Sequence, residues 1–377
     1  MKIIKPYQTI GIIGGGQLGR MMAIAARAMG YKIAVLEPTD NCPCEPISDV
    51  LIKGAYNDLE AIKKLADVSD VITYEFENID YDALNYLDKH TCLPQGSRVL
   101  QTTQHRFREK NAILAMGIPV APTVLIENSK DLEKHVKYPS VLKTTMGGYD
   151  GKGQIVLRSA ADLPAAKKLA DGAECVLEEY MNYSKEISVI IARSTTGEVS
   201  VFPIAENIHV NNILHMSIVP ARISDKLVNE ATEYAKKIAE EMDIIGVLGI
   251  EMFVVDEKIY VNELAPRPHN SGHYSIDACV TSQFEQLVRA VCGIPLGSTR
   301  LHTPVVMVNI LGDHLDKTNI SNLERYLPLL KTGKIHLYGK KDAVNKRKMG
   351  HVNMLGDINS SIELINKSGI WSAANES

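Results

Sequence analysis

The order of hydrophobic and polar positions divides the chain into three stretches of different character. In the first stretch, short apolar runs alternate with longer segments of helical period, which predicts strands and helices in turn. Strands are predicted at TIGIIG, KIAVLEP and DVITYEF, and helices at GQLGRMMAIAARAMG and DLEAIKKLADVS. Strands joined by helices of this length indicate a parallel sheet with right-handed crossovers. We assign this α/β unit to residues 1–96.

The second stretch, residues 97–295, mixes strands and helices without that regular alternation. Helices are predicted at HRFREKNAILAMG, KLVNEATEYAKKIAEEMD and SQFEQLVRAVCG. Strands are predicted at PSVLK, QIVLR, AECVLEEY, EISVIIARS and VSVFPIAEN, and a hairpin at GVLGIEMFVVDEKIYVNEL. This mixture favours an α+β domain.

The tail, residues 296–377, is a smaller unit with strands predicted at PVVMVNIL and KIHLYG. A basic cluster, KRKMGH, follows the second strand. The fold class predicted for the whole chain is therefore α/β and α+β, with a small β-rich domain at the C-terminus.

Composition narrows the classes of function. The formal net charge is -4, so the chain lacks the basic surface that nucleic-acid binding requires. Its six cysteines form no paired C-x-x-C clusters, which favours buried free thiols in a reducing compartment over a zinc site. No secretory signal or membrane-length apolar run is present, so we expect a cytoplasmic protein with no membrane partner.

A first glycine-rich loop follows the first predicted strand. Gly14, Gly16 and Gly19 fit G-x-G-x-x-G, and Glu37 ends the second strand, where a dinucleotide enzyme places its ribose-binding acid. This loop taken alone predicts an NAD-dependent oxidoreductase. The alternative is that the glycines only allow tight packing between strand and helix.

A second glycine-rich loop lies in VLKTTMGGYDGKGQIVL. Lys143 ends the strand before it, and Lys152 lies inside it, so both can neutralise phosphate charge while backbone N–H groups face the oxygens. A flexible hairpin with solvated lysines is the alternative, but it leaves Tyr149 and Asp150 unexplained. The loop has neither the Walker pattern nor that of the protein kinases.

The segment after the next strand, VLEEYM, offers backbone groups that can bind the edge of an adenine ring. A carboxylate such as Glu186 can accept hydrogen bonds from ribose hydroxyls. Taken singly, Glu178, Glu179 and Glu186 are more typical of ordinary surface charge.

A pair of carboxylates gives the strongest chemical signal. If the hairpin has a three-residue loop at residues 256–258, Val255 pairs with Ile259 and Glu251 lies opposite Glu263. Like charges facing each other destabilise a sheet, and hard carboxylate oxygens suit Mg²⁺. Asn262 can add its carbonyl oxygen. The pair therefore predicts a magnesium site that is completed by substrate phosphates.

The segment LAPRPHNSGHYS follows this pair. Its polar groups lie between prolines and a glycine, a composition typical of an anion or substrate loop. They are Arg267, His269, Asn270, Ser271 and His273. A capped turn before the next helix is the alternative.

Four motifs occur in order: GGGQLGRM, ITYEFEN, GGYDGKGQ and NELAPRPHNSGH. With them the chain resembles, over essentially its whole length, the N5-carboxyaminoimidazole ribonucleotide synthase family of ATP-grasp ligases. The resemblance implies a Rossmann-like N-terminal domain, a central ATP-grasp domain with a lid at residues 120–185, and a small C-terminal domain. The chain departs from the family pattern at His105, where an acid is expected, and at Lys346, where glycine is more usual.

The resemblance also implies roles for individual residues, with Mg²⁺ (or Mn²⁺) on Glu251 and Glu263. The residues implied for ATP are Arg106, Lys143, Gly148, Tyr149, Asp150, Gly151, Lys152, Gly153, Gln154, Glu178, Glu179, Tyr180, Met181, Glu186, His209, Asn262 and Glu263. Those implied for aminoimidazole ribonucleotide are Gln17, Leu18, Glu75, Tyr149, Asp150, Arg267, His269, Asn270 and Ser271, with Lys340, Arg347 and Lys348 facing its phosphate. A homodimer is also implied.

The reaction implied is attack of bicarbonate on the γ-phosphorus of ATP, which gives carboxyphosphate and ADP. Carboxyphosphate then yields CO₂, which the amine of the ribonucleotide captures. Lys143 and Arg267 are expected to neutralise phosphoryl charge, and His273 or Asp150 to accept the proton. Three alternatives stay open: another ATP-grasp ligase with a different amine acceptor, a nucleotide sensor without catalysis, and the NAD-dependent oxidoreductase.

Overall fold

The computed structural model describes residues 3–148, 151–315 and 323–371 of the chain, and these form three β-sheets. The first unit is a parallel sheet in the order β3-β2-β1-β4, flanked by helices. Its elements are β1 (Thr9–Ile13), α1 (Gln17–Ala28), β2 (Lys32–Leu36), β3 (Val50–Ile52), α2 (Leu59–Val68), β4 (Val71–Tyr74), α3 (Tyr81–His90) and α4 (Arg98–Thr103). Parallel pairing is as predicted, but β3 is an additional strand. With three residues it is too short to show a period in the sequence.

Helix α5 (Arg106–Ala115) leads from this unit into a small antiparallel sheet. The small sheet has the order β5-β8-β6-β7. Its elements are β5 (Thr123–Ile126), α6 (Ser129–His135), β6 (Ser140–Thr144), β7 (Gln154–Leu157), α7 (Leu163–Gly172) and β8 (Cys175–Glu179). The second glycine-rich loop joins β6 to β7, so it projects from the end of a rigid hairpin.

The largest sheet has nine strands in the order β14-β13-β9-β11-β12-β15-β17-β16, with β10 beside β9. Its first elements are β9 (Lys185–Arg193), β10 (Val199–Val201), β11 (Ala205–Val210), β12 (Ile213–Val219), α8 (Asp225–Glu241), β13 (Gly246–Val255), β14 (Lys258–Ala265), α9 (Ser275–Ala278) and α10 (Gln283–Val291). The run VSVFPIAEN, predicted as one strand, is divided into β10 and β11, because Pro203 lacks the N–H that a continuous ladder needs.

The tail continues this large sheet instead of forming a sheet of its own. It contains β15 (Val305–Leu311), β16 (Gly333–Leu337), β17 (Lys348–Leu355) and α11 (Ile358–Lys367). Strand β15 pairs with β12 on one side and with β17 on the other. The predicted basic cluster is therefore partly a strand, in which Met349 and His351 are buried.

The hairpin β13–β14 has a different turn from the predicted one but the predicted carboxylate pairing. Its turn has two residues, Asp256 and Glu257, both at positive φ, so Val255 pairs with Lys258 and not with Ile259. A bulge next to Glu251 shifts the register by one residue. Glu251 consequently lies opposite Glu263 after all.

The two faces of the large sheet have different partners. Ile187 and Val189 of β9 and Ile250 of β13 pack with α8 in one apolar core. On the other face, Ile190 and Val247 pack against α1, α10 and the first unit. Toward the start of β9, this second face carries polar side chains in place of apolar ones, and the candidate functional site lies there.

The described cysteines are free thiols, and five of the six are buried, as predicted. Burial raises the pKa of the Cys44 and Cys279 thiols, which keeps them protonated and unreactive. Among the described helices, none has the length and apolar character needed to cross a bilayer.

The backbone conformation at position 346 explains why glycine is more usual there than the lysine of this chain. Lys346 adopts φ 64°, a left-handed conformation that glycine tolerates better than residues with a Cβ. We expect Lys346→Gly to raise the free energy of unfolding by about 0.5–1 kcal/mol, as measured by urea denaturation. Lys346→Ala keeps the Cβ and serves as the control. An equal gain in both variants would mean that the lysine side chain, not the backbone, carries the cost.

Glu206 on β11 is a buried ionic anchor for neighbouring segments. Its carboxylate accepts hydrogen bonds from Nζ of Lys185 (2.8 Å) and from N and Nε of Arg222 (3.1 and 2.9 Å). Burial alone would raise the pKa of Glu206, but these hydrogen bonds lower it to about 2. The carboxylate therefore stabilises the fold above the ordinary glutamate pKa, and this contribution is lost as the pH falls toward 2.

We expect Glu206→Gln to lower the free energy of unfolding by about 2 kcal/mol at pH 7, because the charge-assisted bonds weaken. The difference from the unmutated protein should shrink as the pH is lowered below about 4.5. Urea titrations at several pH values measure both effects. Glu233→Gln, at an exposed glutamate paired with Lys236, should change stability by less than about 0.5 kcal/mol.

Candidate functional site

One polar face runs across four neighbouring strands, β14, β13, β9 and β11. Glu251 lies opposite Glu263 on one side and opposite Ser188 on the other. Asn207 of β11 lies opposite Glu186 of β9 on the same face. Because opposite residues of paired strands share a face, these side chains converge. The prediction that Glu251 and Glu263 meet is confirmed.

The carboxylate pair has the electrostatics of a cation site. Burial raises the pKa of Glu251 well above its usual range, and the charges of Glu263 and Glu186 raise it further. The side-chain oxygen of Asn262, beside the pair, is buried and has no hydrogen-bond partner among the described residues. The two carboxylates and this unpartnered amide oxygen fit a hard divalent ion such as Mg²⁺.

Arg106, at the start of α5, joins this pair to the second glycine-rich loop. Its Nη1 is 3.5 Å from the Glu263 carboxylate, and its Nη2 donates to the carbonyl of Gly148 at 2.9 Å. The buried Nε of Arg106 has no partner among the described groups. The guanidinium therefore stands between the carboxylates and the loop, where a phosphate can reach it.

The glycine-rich loop itself depends on close backbone approaches. A Cβ on Gly148 would lie 2.6 Å from the carbonyl oxygen of Lys152, and one on Gly153 would lie 2.8 Å from Oγ1 of Thr144. Gly151 approaches Asn212, in the turn that connects β11 to β12. Tyr149 and Asp150, predicted for both ATP and acceptor, lie outside the described residues.

Two lysines meet under this loop. Lys143 donates to Oε2 of Glu178 at 2.7 Å, and Nζ of Lys110 lies 3.6 Å from Oε1 of the same carboxylate. Burial alone would raise the pKa of Glu178, but the two lysines lower it to about 2. Glu178 thus holds both ammonium groups in place. Gln154 lies opposite Lys143 at the start of β7.

The linker between β8 and β9 lies at the edge of the same site. Glu179 and Tyr180 are exposed, and Met181 is partly buried. The amide of Glu179 donates to the carbonyl of Pro122, and that of Tyr180 to the carbonyl of Pro139. Two amides predicted to be available for adenine are therefore used within the protein.

Glu186 and His209 form a pair beyond this linker. Nδ1 of His209 lies 3.1 Å from Oε2 of Glu186. A bulge at His209 in the ladder between β11 and β12 displaces that residue from the regular register. The structure thus places Glu186, predicted for the ribose, next to His209, which the resemblance implies for ATP.

The loop after β14 carries Arg267 and His269. Arg267 donates from Nε and Nη2 to both oxygens of Glu77, at 2.7 and 2.6 Å. His269 lies 3.4 Å from Glu251, and its Nδ1 contacts Ser271 at 2.8 Å. Burial and then the charge of Arg267 lower the pKa of His269 well below its usual range, so this imidazole is neutral.

The remaining predicted residues of this loop differ in what they can contact. Both polar atoms of the Asn270 side chain are buried without partners among the described residues, which leaves them available to a ligand. Ser271 is fully buried and contacts Ser188 at 2.6 Å. Ser271 therefore orients His269, and the prediction that it touches the acceptor is not supported by its position.

The structure disfavours His273 as the proton acceptor. The residue is 1% exposed and packs against the rings of Phe284, Tyr338 and His351. Its Nδ1 lies 3.1 Å from Nε2 of Gln283. Burial lowers the pKa of His273 well below its usual range. A neutral ring enclosed by other rings supports the loop but cannot exchange protons freely with a substrate.

The first glycine-rich loop is closed by carboxylates of the protein itself. Gly15 donates to Glu37 at 2.7 Å, and Gly16 and Gly19 donate to the two oxygens of Glu75, each at 2.6 Å. Glu75 thus occupies the helix N-terminus where a dinucleotide enzyme binds pyrophosphate. This closure argues against the alternative of an NAD-dependent oxidoreductase, and the glycines serve close packing.

The other residues predicted for the site in this first unit are Gln17, Leu18 and Glu75, and they differ in their exposure. Gln17 is partly exposed at the start of α1, whereas Leu18 packs into the hydrophobic core, so its side chain cannot line a polar pocket. Glu75 lies close enough to Arg267 for their charges to interact. Burial raises its pKa, while the amides of Gly19 and Gly16 lower it.

The tail contributes a positive edge. Nζ of Lys340 donates to the backbone carbonyl of Lys348 at 2.9 Å, and burial followed by the charge of Arg347 lowers the pKa of Lys340 to about 8. Arg347 donates to the carbonyl of Asp342. Lys348 is close enough to lower the pKa of both His269 and Glu251 electrostatically. The three basic residues therefore lie close together, and the charge of Lys348 reaches the site.

Sequence reasoning missed Glu77, Lys110 and Glu109. Glu77 follows the end of β4 in irregular backbone, where no period indicates the direction of its side chain. Lys110 is four residues from Arg106 on one helix face. Glu109 is buried, and burial followed by the charge of Glu263 raises its pKa to about 8. No sequence signal distinguishes it from an ordinary surface glutamate on an amphipathic helix.

Comparison with known families gives a consistent result over most of the chain. Residues 7–104 match the ribonucleotide synthetase preATP-grasp domain, and residues 111–284 match the ATP-grasp domain. Residues 305–363 match the phosphoribosylaminoimidazole carboxylase C-terminal domain.

Whole proteins of one name are similar to the chain. N5-carboxyaminoimidazole ribonucleotide synthase from Bacillus subtilis is 51% identical over 358 residues, which cover 94% of this chain and 93% of that protein. A solved ADP complex of an N5-carboxyaminoimidazole ribonucleotide synthetase is 57% identical over the whole of both chains, with a TM-score of 0.96. An Aspergillus clavatus enzyme solved with ADP and 5-aminoimidazole ribonucleotide is 29% identical, covers 98% of this chain and 99% of its own, and has a TM-score of 0.89.

Proposed function

This chain belongs to the N5-carboxyaminoimidazole ribonucleotide synthase family, and we propose that the polar face of its central sheet holds Mg-ATP beside the acceptor nucleotide. The protein is an ATP-dependent ligase that carboxylates 5-aminoimidazole ribonucleotide in purine biosynthesis. The observation that carries the assignment of the site is the facing pair Glu251 and Glu263, with the unpartnered oxygen of Asn262 beside it.

The metal assignment rests on this donor set. Glu251, Glu263 and Asn262 would hold Mg²⁺, or Mn²⁺ in its place, and ATP phosphates would complete the coordination. When bound, the cation neutralises charge on the phosphoryl group that is transferred. The repulsion between the two carboxylates in the free protein is relieved at the same time.

The phosphates of ATP are proposed to lie between the second glycine-rich loop and the carboxylate pair. Arg106, Lys143 and Lys152 supply positive charge there, and backbone N–H groups of Gly148, Gly151 and Gly153 supply donors. Glu178 keeps Lys143 extended until a phosphate binds. Tyr149, Asp150 and Gln154 belong to the same loop and its end.

The adenosine half is proposed to lie along the linker. Met181, with Glu179 and Tyr180, would border the adenine, and Glu186 and His209 would bind the ribose hydroxyls. Support comes from the position of the Glu186–His209 pair, which lies beyond the linker and next to the metal carboxylates.

The carboxylation step is proposed to use bicarbonate. A bicarbonate oxygen would attack the γ-phosphorus while ADP leaves, and the resulting carboxyphosphate would break down to CO₂ and phosphate. The amine nitrogen of the acceptor then bonds to that carbon and loses a proton. Arg267, held by Glu77, would stabilise the transferring anion. Asp150 is the proposed proton acceptor, since His273 is enclosed.

The acceptor is proposed to lie between the first unit, the loop after β14 and the tail. Gln17, Glu75, His269 and Asn270 would contact its ring and ribose. Lys340, Arg347 and Lys348 would face its phosphate, a role supported by their mutual proximity and by the effect of Lys348 on His269. We also propose that the protein is a cytoplasmic homodimer. Its proposed domains are residues 1–96, 97–295 and 296–377, with the lid at 120–185. The residue ranges matched by the three domain families lie close to these domain bounds.

One coupled assay tests the acceptor and the carbon source. ADP release should reach its full rate only with both 5-aminoimidazole ribonucleotide and bicarbonate, and label from bicarbonate should appear in an acid-labile product. Glycinamide ribonucleotide should not replace the first substrate. If it does, the acceptor assignment fails, and if labelled carbon never enters the product, the carboxylation route fails.

A further inference from the structure

A second group of metal-binding atoms lies beside the magnesium pair. Glu186, His209 and Glu251 each offer one ligand atom, and these atoms lie within 4.8 Å of one another. Nδ1 of His209 is 3.1 Å from the Glu186 carboxylate. In a tetrahedral zinc site, bonds of about 2.1 Å separate neighbouring ligand atoms by roughly 3.4 Å. Small side-chain rotations would therefore complete the geometry.

The sheet holds these three groups on separate strands, β9, β11 and β13. Bulges at His209 and next to Glu251 modify the ladders at both of these positions. Nδ1 of His209 is buried and makes no well-aligned hydrogen bond to a described group, despite its short distance to Glu186. Glu186 is 9% exposed. A buried imidazole nitrogen next to a buried carboxylate, without a proper hydrogen bond, points to a missing ligand.

The chemistry of the group differs from that of the magnesium pair. Imidazole nitrogen is a preferred ligand of zinc and similar transition metals, whereas Mg²⁺ prefers oxygen. Glu263, opposite Glu251, adds negative charge without having to bind directly. The donors therefore favour a borderline divalent ion.

We propose that Glu186, His209 and Glu251 form a second cation site, which takes Zn²⁺ or a similar transition-metal ion when nucleotide is absent. Glu186 and His209 are also the residues proposed to bind the ribose of ATP, so the ion and the nucleotide exclude each other. This exclusion rests on the proposed nucleotide site, whereas the binding of the ion does not.

Calorimetric titration of the full-length, nucleotide-free and magnesium-free protein with Zn²⁺ tests the site. Saturable binding is expected, and His209→Asn should weaken it tenfold or more, because a direct ligand is lost. His135→Asn is the matched control. It removes a histidine that lies 3.6 Å from Asp131 on helix α6, and it should change the affinity less than twofold.

Cobalt provides a second readout that a folding defect cannot imitate. Bound Co²⁺ should give visible bands typical of nitrogen and oxygen ligands, without the charge-transfer band of a thiolate ligand, and His209→Asn should lose the visible bands while keeping its circular dichroism spectrum. Absence of saturable Zn²⁺ binding, or an affinity of His209→Asn within threefold of the unmutated protein, would overturn the proposal.

Competition with ATP provides a third test of the proposal. Added ATP should lower the apparent Zn²⁺ affinity, and Zn²⁺ should inhibit ADP release in competition with ATP. If Zn²⁺ binds through His209 but ATP does not displace it, the cation site is supported. The assignment of Glu186 and His209 to the nucleotide site is then wrong. The two assignments can thus fail separately.

Discussion

Glu263→Gln should lower kcat for ADP release by about 10²–10³, because one of the two carboxylates that hold the metal against the phosphates is neutralised. The same change should raise the free energy of unfolding by about 1 kcal/mol, since it ends the repulsion that contributes to the raised pKa of Glu251. Activity and stability are therefore expected to move in opposite directions. Steady-state kinetics and urea denaturation of the same preparations measure the two effects.

Glu257→Gln is the matched control for this variant. Glu257 lies in the turn of the same hairpin, is exposed, and lies outside the polar face. Its replacement should leave both kcat and stability nearly unchanged. If Glu263→Gln keeps full turnover, the metal assignment is wrong. If it loses both turnover and stability, Glu263 is a structural residue and not a metal ligand.

Glu77→Gln should lower kcat by about 10–10² because Arg267 loses the bidentate partner that fixes its direction. Burial alone would raise the pKa of Glu77, but the Arg267 guanidinium lowers it below its usual range. The variant also leaves a buried guanidinium without its counter-charge, so the unfolding free energy should fall by about 2–3 kcal/mol. The KM for ATP should change little, since Glu77 acts through Arg267.

Two further variants separate positioning from simple loss of stability. Glu77→Asp keeps the charge but shortens the side chain, and it should recover more stability than kcat. Asp243→Asn removes the charge of an exposed carboxylate that lies 2.7 Å from Arg193, far from the loop, and it should leave kcat intact. A Glu77→Gln enzyme with unchanged kcat and a raised KM for ATP would contradict the positioning role.

Much of the fold could be predicted because hydrophobic period reports burial directly. The alternation in the first unit predicted a parallel sheet, and α8 was located within a few residues of Asp225–Glu241. Strand β3 was not predicted because it is short. Strand β17 was not predicted because it begins in a basic segment, although residues such as Met349 are buried in it. That β15 pairs with β12 could not be predicted, since long-range pairing leaves no local pattern.

The candidate site likewise has features that the sequence predicts and features that it does not. Glu251 and Glu263 could be paired from strand parity, although the predicted turn was wrong and a bulge restored the register. The closing of the first glycine-rich loop by Glu37 and Glu75 could not be read from the motif, because the same glycines serve phosphate or internal carboxylates. Lys110 and Glu109 depend on burial that only the packed helix reveals.

The pairing of β15 with β12 has a consequence for how the protein is made. Val219 and Val305 are partners in that ladder, so the central sheet joins two segments that residues 220–304 separate in the sequence. During synthesis, β12 must wait with an unpaired edge until the tail leaves the ribosome. Release of the nearly complete chain therefore limits when the enzyme can mature, and truncation before β15 should leave an edge prone to aggregation.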